Sequence, residues 1–237
     1  MKRILVIIPA YNEQESILNT VSALKNCSFP SEYSVDYIVV NDGSKDDTLN
    51  ILKDNNLNYL NLPMNLGIGG AMQTGYLYAF ENDYDFAVQL DGDGQHNPEY
   101  IQNLILPLDN SQADMVIGSR FIEKIGFQST GMRQFGIKIV SSTIKLLTHK
   151  RIKDVTSGFR ACNKKAISYF SNHYAEDYPE PEAIVSLLRN GFKIEEIPVV
   201  MNERQGGISS ISGIKSAYYM LKVEMALLVQ SIKKKEC

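Results

Sequence analysis

The chain has 237 residues, of which 44% are hydrophobic and 22% are charged, and its net charge is −3. This composition is typical of a globular protein with a sizeable core, and it lacks the basic excess that marks nucleic-acid-binding proteins. Three scattered cysteines without metal-ligand spacing favour a reducing compartment, so we expect a cytoplasmic protein. No stretch of about 18 uncharged apolar residues occurs, so we expect no membrane-spanning helix.

Short apolar runs alternate with amphipathic helical patterns in the first half of the chain. The predicted strands cover residues 4–8, 35–40, 57–62, 86–90 and 115–118. The predicted helices cover residues 15–26, 47–55 and 69–82, and a further helix begins at Pro98 behind an Asn97 cap. This alternation predicts an α/β fold with a mostly parallel sheet and helices on both faces.

The second half of the chain is less regular. It contains predicted helices at 135–147 and 180–190, a short strand within 154–161 and a strand at 192–200. A segment rich in glycine and serine, 203–213, precedes a last helix at 214–232. We therefore predict one domain at 1–212 and a C-terminal amphipathic helix within 213–237. This helix ends in three lysines, and it could contact a membrane surface, a partner protein or a second copy of the chain.

Two carboxylates, Asp91 and Asp93, follow the predicted strand 86–90 directly. Residues i and i+2 of an extended segment point the same way, so the two side chains can converge on one point. Paired carboxylates suit Mg²⁺ or Mn²⁺, which commonly take substrate phosphates as further ligands. A solvated acidic turn would explain the same residues, because Asp and Gly are common in turns.

Other predicted strand ends carry residues that could bind a nucleotide. Tyr11 could stack on a base, Glu13 could accept a hydrogen bond from a base N–H, and Asp42 could bind a base or a ribose hydroxyl. The glycine-rich helix start at 65–71, which includes Gly67, could bring backbone N–H groups to a phosphate or ribose. Each of these features also has a structural explanation. Glu13 could stabilise the first turn of a helix, Asp42 could form an Asx turn, and the glycines could allow close packing of a helix on the sheet.

The motifs at 9–13, 39–44, 65–67 and 91–95 together resemble family 2 glycosyltransferases of the inverting GT-A type. The motifs at 118–121, 154–160 and 196–199 resemble the polyprenyl-phosphate sugar transferases, the dolichol-phosphate mannose synthase branch. The resemblance covers residues 3–212. It implies metal-dependent sugar transfer from a nucleotide-sugar donor, preferably UDP-linked and otherwise GDP-linked, to a polyprenyl phosphate in cell-envelope glycan synthesis.

The resemblance also implies roles for individual residues. The donor would be bound by Pro9, Tyr11, Glu13, Val40, Asp42, Gly67 and Asp91. Mg²⁺ or Mn²⁺ would be surrounded by Asp91, Asp93 and Gln95. Donor or acceptor phosphates would be met by Arg120, Arg133, Arg160 and Arg204, because the planar guanidinium matches phosphate oxygens. Among these residues, Asp93 and Arg120 would take part in catalysis.

Two further carboxylates bear on which class of acceptor the enzyme would use. Glu182 resembles a carboxylate of the lipid-phosphate branch, whereas Asp177, within Glu176-Asp177, resembles the acidic pair that supplies the base in other family 2 enzymes. A saccharide hydroxyl acceptor needs a base to remove its proton, and an ionised phosphate acceptor needs none. The chain departs from the branch at 205–210, where Ser209 and Ser210 stand in a segment that commonly carries a lysine.

Two other functions are compatible with part of the pattern. A sugar-1-phosphate nucleotidyltransferase would carry a basic glycine-rich loop near the first strand, and residues 9–13 contain no basic residue. A nucleotide-sugar-binding protein without activity would not need Asp91, Asp93 and Arg120 together. We expect a cytoplasmic enzyme that is peripheral on the cytoplasmic face of the membrane.

Overall fold

Seven strands form one sheet in the computed structural model, which describes residues 1–123, 125–126, 131–202 and 214–232. The strands are β1 (Lys2–Ala10), β2 (Tyr33–Asn41), β3 (Tyr59–Asn61), β4 (Phe86–Gln89), β5 (Met115–Ser119), β6 (Arg160–Asn163) and β7 (Ile194–Pro198). Their order across the sheet is β3-β2-β1-β4-β6-β5-β7. Only β6 runs antiparallel to its neighbours in this sheet, so the predicted mostly parallel α/β fold is confirmed.

Eight α-helices lie within the same described ranges. They are α1 (Ile17–Lys25), α2 (Thr48–Asp54), α3 (Gly67–Glu81), α4 (Ile101–Asp109), α5 (Gly131–Thr148), α6 (Lys164–Asn172), α7 (Pro179–Arg189) and α8 (Ile214–Ile232). A 3-10 turn, Pro98–Tyr100, precedes α4, and the Asn97 side chain caps it as predicted by accepting a hydrogen bond from the Glu99 N–H at 3.0 Å.

The helix α6 was not predicted from the sequence. It is only nine residues long and polar on average, so it contains no long apolar run, although its few apolar residues lie on one face. Its start is nevertheless specified locally, because Asn163 Oδ1 accepts a hydrogen bond from the Ala166 N–H at 3.0 Å. Ile167 and Phe170 lie on its buried face and join the core.

The alternation of side chains along β1 explains its unbroken apolar run. Leu5 and Ile7 point into one core with Tyr76 of α3, whereas Val6 points into a second core with Ile17 of α1. Both faces of the strand are therefore covered by helices, and no polar residue is required between positions 4 and 8. The two cores lie on opposite sides of the sheet.

Strand register determines which loops meet. Pro9 of β1 lies opposite Val40 of β2, and Ile7 of β1 lies opposite Gln89 of β4. Since these strands are parallel, the segments that follow them all leave the sheet at one edge. The strand β5 is antiparallel to β6, which is antiparallel to β4, so residues 120–122 leave the sheet at this edge as well.

The predicted last helix is present as α8, which packs against α5 and α7. Its Val223 and Leu227 side chains are buried in the core that contains Ile144 of α5. None of the helices in the described ranges is both long and apolar enough to cross a membrane. The boundary at 212/213 stays a prediction, and residues 203–213 and 233–237 lie outside the described part.

Close packing of α3 on β1 gives a stability prediction. A methyl group at Gly75 would overlap Ile7 Cγ2, whereas a methyl group at Gly131 would have no atom within 4 Å. Gly75→Ala should therefore destabilise the protein by about 1–3 kcal/mol through overpacking, despite the better helix propensity of alanine. Gly131→Ala should not reduce stability. Urea denaturation of both variants measures the difference, and equal midpoints would contradict the packing argument.

Candidate functional site

A cavity of about 750 Å³ opens at the carboxyl edge of the sheet. Tyr11 and Glu13 line it from the segment after β1, Asp42 from the segment after β2, and Asp91 and Asp93 from the segment after β4. The structure thus brings together three loops that are far apart in the sequence. Pro9 and Gly67 also line this cavity, whereas Val40 is buried in the core.

The acidic turn after β4 is held by its own backbone. Asp93 Oδ1 accepts a hydrogen bond from the Gln95 N–H at 3.0 Å, which is an Asx turn. Gly94 has φ +75°, a left-handed conformation that glycine adopts without steric cost. This turn buries Asp93 almost completely while leaving it on the cavity wall.

Asp91 is oriented by two neighbouring side chains. Gln89 Nε2 donates to Asp91 Oδ1 at 3.0 Å, and His96 Nε2 lies 3.6 Å from Asp91 Oδ2. His96 Nδ1 accepts a hydrogen bond from the Asp91 N–H at 3.1 Å, which leaves the imidazole N–H on the carboxylate side. His96 is itself buried and stacks on Phe159 with a ring separation of 4.8 Å.

Glycine 158 leaves the space that the Asp91 carboxylate needs. A Cβ atom on Gly158 would lie 2.8 Å from both Asp91 Oδ2 and Gln89 Nε2. The motif at 154–160 therefore contributes to the site by steric fit. Sequence analysis did not assign positioning roles to Gly158 and His96, because a lone His and a lone Gly carry little signal before their neighbours in space are known.

The first two loops are cross-linked by hydrogen bonds. Asn12, at φ +57°, donates its N–H to Ser44 Oγ at 3.0 Å, and its Oδ1 accepts from the Lys45 N–H at 2.8 Å. The Glu13 N–H donates to Thr48 Oγ1 at 2.9 Å, and the Glu13 carboxylate accepts from Ser16 Oγ at 2.7 Å. These contacts leave Tyr11 with 41% of its surface exposed at the cavity.

Asp42 links the second loop to the glycine-rich helix start. Its Oδ1 accepts a hydrogen bond from the Leu66 N–H at 2.7 Å. Burial raises the pKa of Asp42, while the backbone N–H groups of Leu66 and Gly67 act in the opposite direction. Gly43, at φ +64°, allows this approach, because a Cβ there would lie 2.7 Å from the Asn65 nitrogen. Asp42 therefore has both a structural role and a position on the cavity wall.

The donor set at the cavity matches one kind of metal site. Among the described residues, no group of three or more His, Cys, Asp or Glu side chains is arranged to hold an ion. Asp91 and Asp93 alone offer two carboxylates, and Mg²⁺ is commonly bound by one or two carboxylates plus substrate phosphates. The residues present therefore fit an ion shared with a phosphate ligand. Gln95 contributes its backbone N–H to Asp93, and its role as a metal ligand stays a prediction.

Arg120, which directly follows β5, forms a buried ion pair with Asp154. Its Nε and Nη2 atoms donate to the two carboxylate oxygens of Asp154 at 2.7 Å each, and Nη2 also donates to Thr156 Oγ1 at 3.1 Å. The Asp154 N–H donates in turn to Glu196 Oε1 at 2.9 Å. The guanidinium thus fixes the loop after β5 to the loop before β6, and its predicted contact with phosphate stays a prediction.

Arg160 is completely buried. Its Nε and Nη2 atoms donate to the Ser157 carbonyl at 3.1 and 2.5 Å, and Nη1 donates to the Glu180 carbonyl at 3.2 Å. This position joins the 154–158 loop to the start of α7 and gives no support to the predicted phosphate contact. The side chain of Arg133 and the whole of Arg204 lie outside the described residues.

The start of α7 reaches the cavity through Glu180, which sequence analysis missed. Of the two acids predicted to decide the acceptor class, Asp177 is exposed, and Glu182 Oε1 accepts a hydrogen bond from the Tyr178 N–H at 3.1 Å at the helix start. Pro179 and Pro181 flank Glu180, and this unusual Pro-Glu-Pro sequence was the feature that could have drawn attention to Glu180. The roles of Asp177 and Glu182 stay predictions.

Comparison with known proteins gives a consistent result. A family model described as Glycosyl transferase family 2 matches residues 5–170. The chain is 33% identical to a UDP-N-acetylglucosamine–dolichyl-phosphate N-acetylglucosaminyltransferase of Methanococcus voltae, over 94% of this chain and 97% of the relative. It is 27% identical to a polyprenol monophosphomannose synthase of Mycolicibacterium smegmatis, over 94% and 86% of the respective chains.

The fold is also shared with a solved structure. Glucosyl-3-phosphoglycerate synthase from Mycobacterium tuberculosis, crystallised with Mn²⁺, UDP and phosphoglyceric acid, superposes with a TM-score of 0.74. The superposition covers 98% of this chain and 80% of the other, at 19% identity, so it shows a common fold.

The buried Arg120–Asp154 pair gives a second prediction. Asp154→Ala should cost about 3–5 kcal/mol of stability, because it leaves a buried guanidinium without its carboxylate. Replacing both partners, as Arg120→Met with Asp154→Leu, should recover much of that loss. Lys164→Ala, which removes an exposed pair with Asp83, should leave stability nearly unchanged. Chemical denaturation measures all three, and a loss of under 1 kcal/mol for Asp154→Ala would contradict the argument.

Proposed function

Because the chain belongs to glycosyl transferase family 2, we propose that it transfers a sugar from a nucleoside-diphosphate sugar to a polyprenyl phosphate. It is a glycosyltransferase with the GT-A fold. The observation that carries the donor half of the proposal is the convergence of Tyr11, Asp42, Asp91 and Asp93 on one cavity. The acceptor half is supported by relatives whose names specify dolichyl or polyprenol phosphate.

The nucleoside lies at the β1–β2 side of the cavity in this proposal. Tyr11 stacks on the base, and Glu13 and Asp42 accept hydrogen bonds from base or ribose groups. Asp42 is suited to this role because its position is already fixed by the Leu66 N–H at 2.7 Å. We propose UDP as the nucleotide and GDP as the second choice. The archaeal relative named for UDP-N-acetylglucosamine and the structural neighbour crystallised with UDP support this order.

The diphosphate would lie at the β4 side, where Asp91 and Asp93, with Gln95 beside them, would hold Mg²⁺ or Mn²⁺. When bound, such an ion supplies positive charge that offsets the charge developing on the leaving nucleotide. The chain prepares this site in advance, because Gln89 and His96 hold the Asp91 carboxylate and the Gln95 N–H holds that of Asp93. A carboxylate that is already oriented needs no reorganisation during the reaction.

The transfer inverts the anomeric centre. An oxygen of the acceptor phosphate attacks the anomeric carbon from the face opposite the nucleotide, a new carbon–oxygen bond forms, and the bond to the donor diphosphate breaks. The electron pair leaves with the nucleoside diphosphate. An ionised acceptor phosphate has no proton to lose, so no base is required. Arg120, Arg133 and Arg204 remain the proposed phosphate-binding cations, whereas Arg160 does not, because its buried guanidinium donates to the Ser157 and Glu180 carbonyls.

One observation favours a second acceptor class. The Glu180 carboxylate lines the cavity, and a saccharide hydroxyl acceptor would need a base at such a position. Asp177, three residues before it, is the base that the sequence resemblance suggests. The alternative function is therefore a family 2 transferase that acts on a saccharide hydroxyl, whereas a sugar-1-phosphate nucleotidyltransferase is not supported by the family assignment.

A polyprenyl phosphate is anchored in a membrane by its hydrocarbon chain. The protein must therefore reach its acceptor at a membrane surface, and we propose that it works as a peripheral protein on the cytoplasmic face. The helix α8 presents exposed Leu221, Met225 and Ile232 and is the proposed contact with lipid, a membrane-protein partner or a second copy.

Product analysis tests the proposal. We expect radiolabel from a UDP- or GDP-sugar to become extractable into organic solvent when polyprenyl phosphate is added, with release of the nucleoside diphosphate. The transfer should persist in Asp177→Asn, because a phosphate acceptor needs no base. Label found only on a water-soluble saccharide, and lost in Asp177→Asn or Glu180→Gln, would establish the hydroxyl-acceptor alternative. Release of pyrophosphate would indicate a nucleotidyltransferase.

Metal dependence gives a separate prediction. Asp93→Asn removes one of two charged ligands, so turnover at saturating Mn²⁺ should fall by at least about 100-fold, a loss typical of removing one electrostatic stabiliser. Asp54→Asn, an exposed acid on α2 away from the cavity, is the matched control and should retain full activity. Wild-type turnover by Asp93→Asn in the presence of a chelator would contradict the metal role.

A further inference from the structure

The segment from the start of α5 to the loop before β6 has an unusual charge. Residues 131–153 contain six of the 24 lysine and arginine residues of the chain and none of its 27 acidic residues. The whole chain has a net charge of −3, so this one segment is strongly positive within an acidic protein. Such a local field attracts anionic surfaces.

Part of this charge lines a second cavity, distinct from the candidate active site. The cavity has a volume of about 780 Å³ and is bounded by Phe121 and Ile137 and by the cations Lys138, Arg151 and Lys153. None of these three cations has an ion-pair partner among the described residues, although the neighbouring Lys150 lies 3.7 Å from Glu195. The cavity therefore combines an apolar wall with unpaired positive charge.

The cavity is a built feature of the fold. Ser141 on α5 donates its hydroxyl to the Ile152 carbonyl, which holds the 151–153 segment against the helix. The Lys153 N–H donates to Glu196 Oε2 at 2.8 Å, so the same segment is also tied to β7. Glu196 in turn binds the Asp154 N–H next to the Arg120 pair. The backbone under the three cations is thereby fixed from both sides.

Exposed apolar side chains extend from this cavity along α5. Phe135, Ile139 and Leu146 are exposed and lie on one face, since they are separated by four and seven residues. The exposed Leu221, Met225, Leu228 and Ile232 of α8 repeat the same spacing. The two helices pack against each other, and both direct their other face into the core. Helices with apolar and basic residues side by side are typical of membrane-surface contacts.

We propose that this cavity binds the phosphate headgroups of anionic phospholipids and that α5 and α8 dock the protein on an anionic bilayer. Lys138, Arg151 and Lys153 contact the headgroups, and the apolar residues of α5 and α8 enter the interface. A second copy of the chain fits this surface less well, because two cavities that each carry Lys138, Arg151 and Lys153 repel one another. A nucleic acid would leave the exposed apolar residues without a partner.

The docking surface lies beside the candidate active site. Phe121 lines the cationic cavity and directly follows Arg120, at the sheet edge that carries Asp91 and Asp93. Docking would bring this edge close to the bilayer, where a lipid acceptor would be found. The docking site itself does not depend on the transfer reaction, so the two proposals can fail separately.

Vesicle co-sedimentation tests the proposal. The wild-type protein should bind phosphatidylcholine vesicles containing phosphatidylglycerol and should not bind vesicles of phosphatidylcholine alone. The variant Lys138→Gln/Arg151→Gln/Lys153→Gln should bind about 100-fold more weakly, because each cation near an anionic surface contributes about five-fold. The control Lys25→Gln/Lys53→Gln/Lys193→Gln removes the same charge from exposed positions elsewhere and should bind as wild type. Equal weakening in both variants would overturn the site.

The apolar contact is tested separately. Phe135 and Leu146 are 66% and 77% exposed, so Phe135→Ser/Leu146→Ser should fold normally. At high salt the electrostatic attraction is screened, and the wild-type protein should keep some binding to the anionic vesicles through its apolar residues. The double variant should lose this salt-resistant binding. Light scattering distinguishes self-association. If the wild-type protein is a dimer that does not bind vesicles, and the double variant is a monomer, the proposal is overturned in favour of self-association. Calorimetric binding of UDP with Mn²⁺ should be unchanged in the triple variant, which separates docking from donor binding.

Discussion

The parallel register of β1, β2 and β4 is the constraint on which the site depends. Pro9 lies opposite Val40 and Ile7 opposite Gln89, so the loops that follow these strands emerge side by side. A shift of one residue in β4 would exchange the two faces of that strand. Phe86 and Val88 pack in one core and the smaller Ala87 packs in the other, so an exchange would disturb the packing of both cores.

Buried polar groups beneath the sheet edge make the site rigid. The Arg120–Asp154 pair and the contacts of Arg160 with two backbone carbonyls each tie one loop to another. The contact of His96 with Asp91 braces the single turn after β4. Charged groups placed in a low-dielectric interior are costly unless they are paired, so their presence requires a specific geometry. Here that geometry fixes the two carboxylates of the acidic turn before any ligand arrives, which suits a reaction stabilised by electrostatics.

Charge is distributed unevenly over the same edge of the molecule. The candidate active-site cavity is lined by Glu13, Asp42, Asp91, Asp93 and Glu180, whereas the neighbouring cavity carries Lys138, Arg151 and Lys153. An acidic cavity attracts a cation, and a cationic cavity attracts a phosphate group. The acidic cavity lies where β1, β2 and β4 end, and the cationic cavity includes Phe121 just after the end of β5. The arrangement suits a protein that handles a metal-bound diphosphate next to an anionic lipid surface.

The fold class and the identity of the loops that meet follow from the amino-acid sequence. Alternating apolar runs and helical patterns specify a mostly parallel sheet, and the doublet Asp91 and Asp93 marks its ligand-binding edge. These features are local, so periodicity and spacing are enough to reveal them. The helix α6 was not predicted, because its nine residues are polar on average and too few for a clear period, although Ile167 and Phe170 lie on one buried face.

Which charged residues face the cavities became clear from the three-dimensional contacts. Arg160 was expected at a phosphate and lies fully buried. Glu182 caps its own helix, whereas Glu180, one of several acids in the same segment, reaches the cavity wall. His96 acquired a role only when folding placed Asp91 and Phe159 beside it. The direction in which a long side chain points is set by partners remote in sequence, because a buried charge must find a counter-charge or a backbone group wherever the fold supplies one.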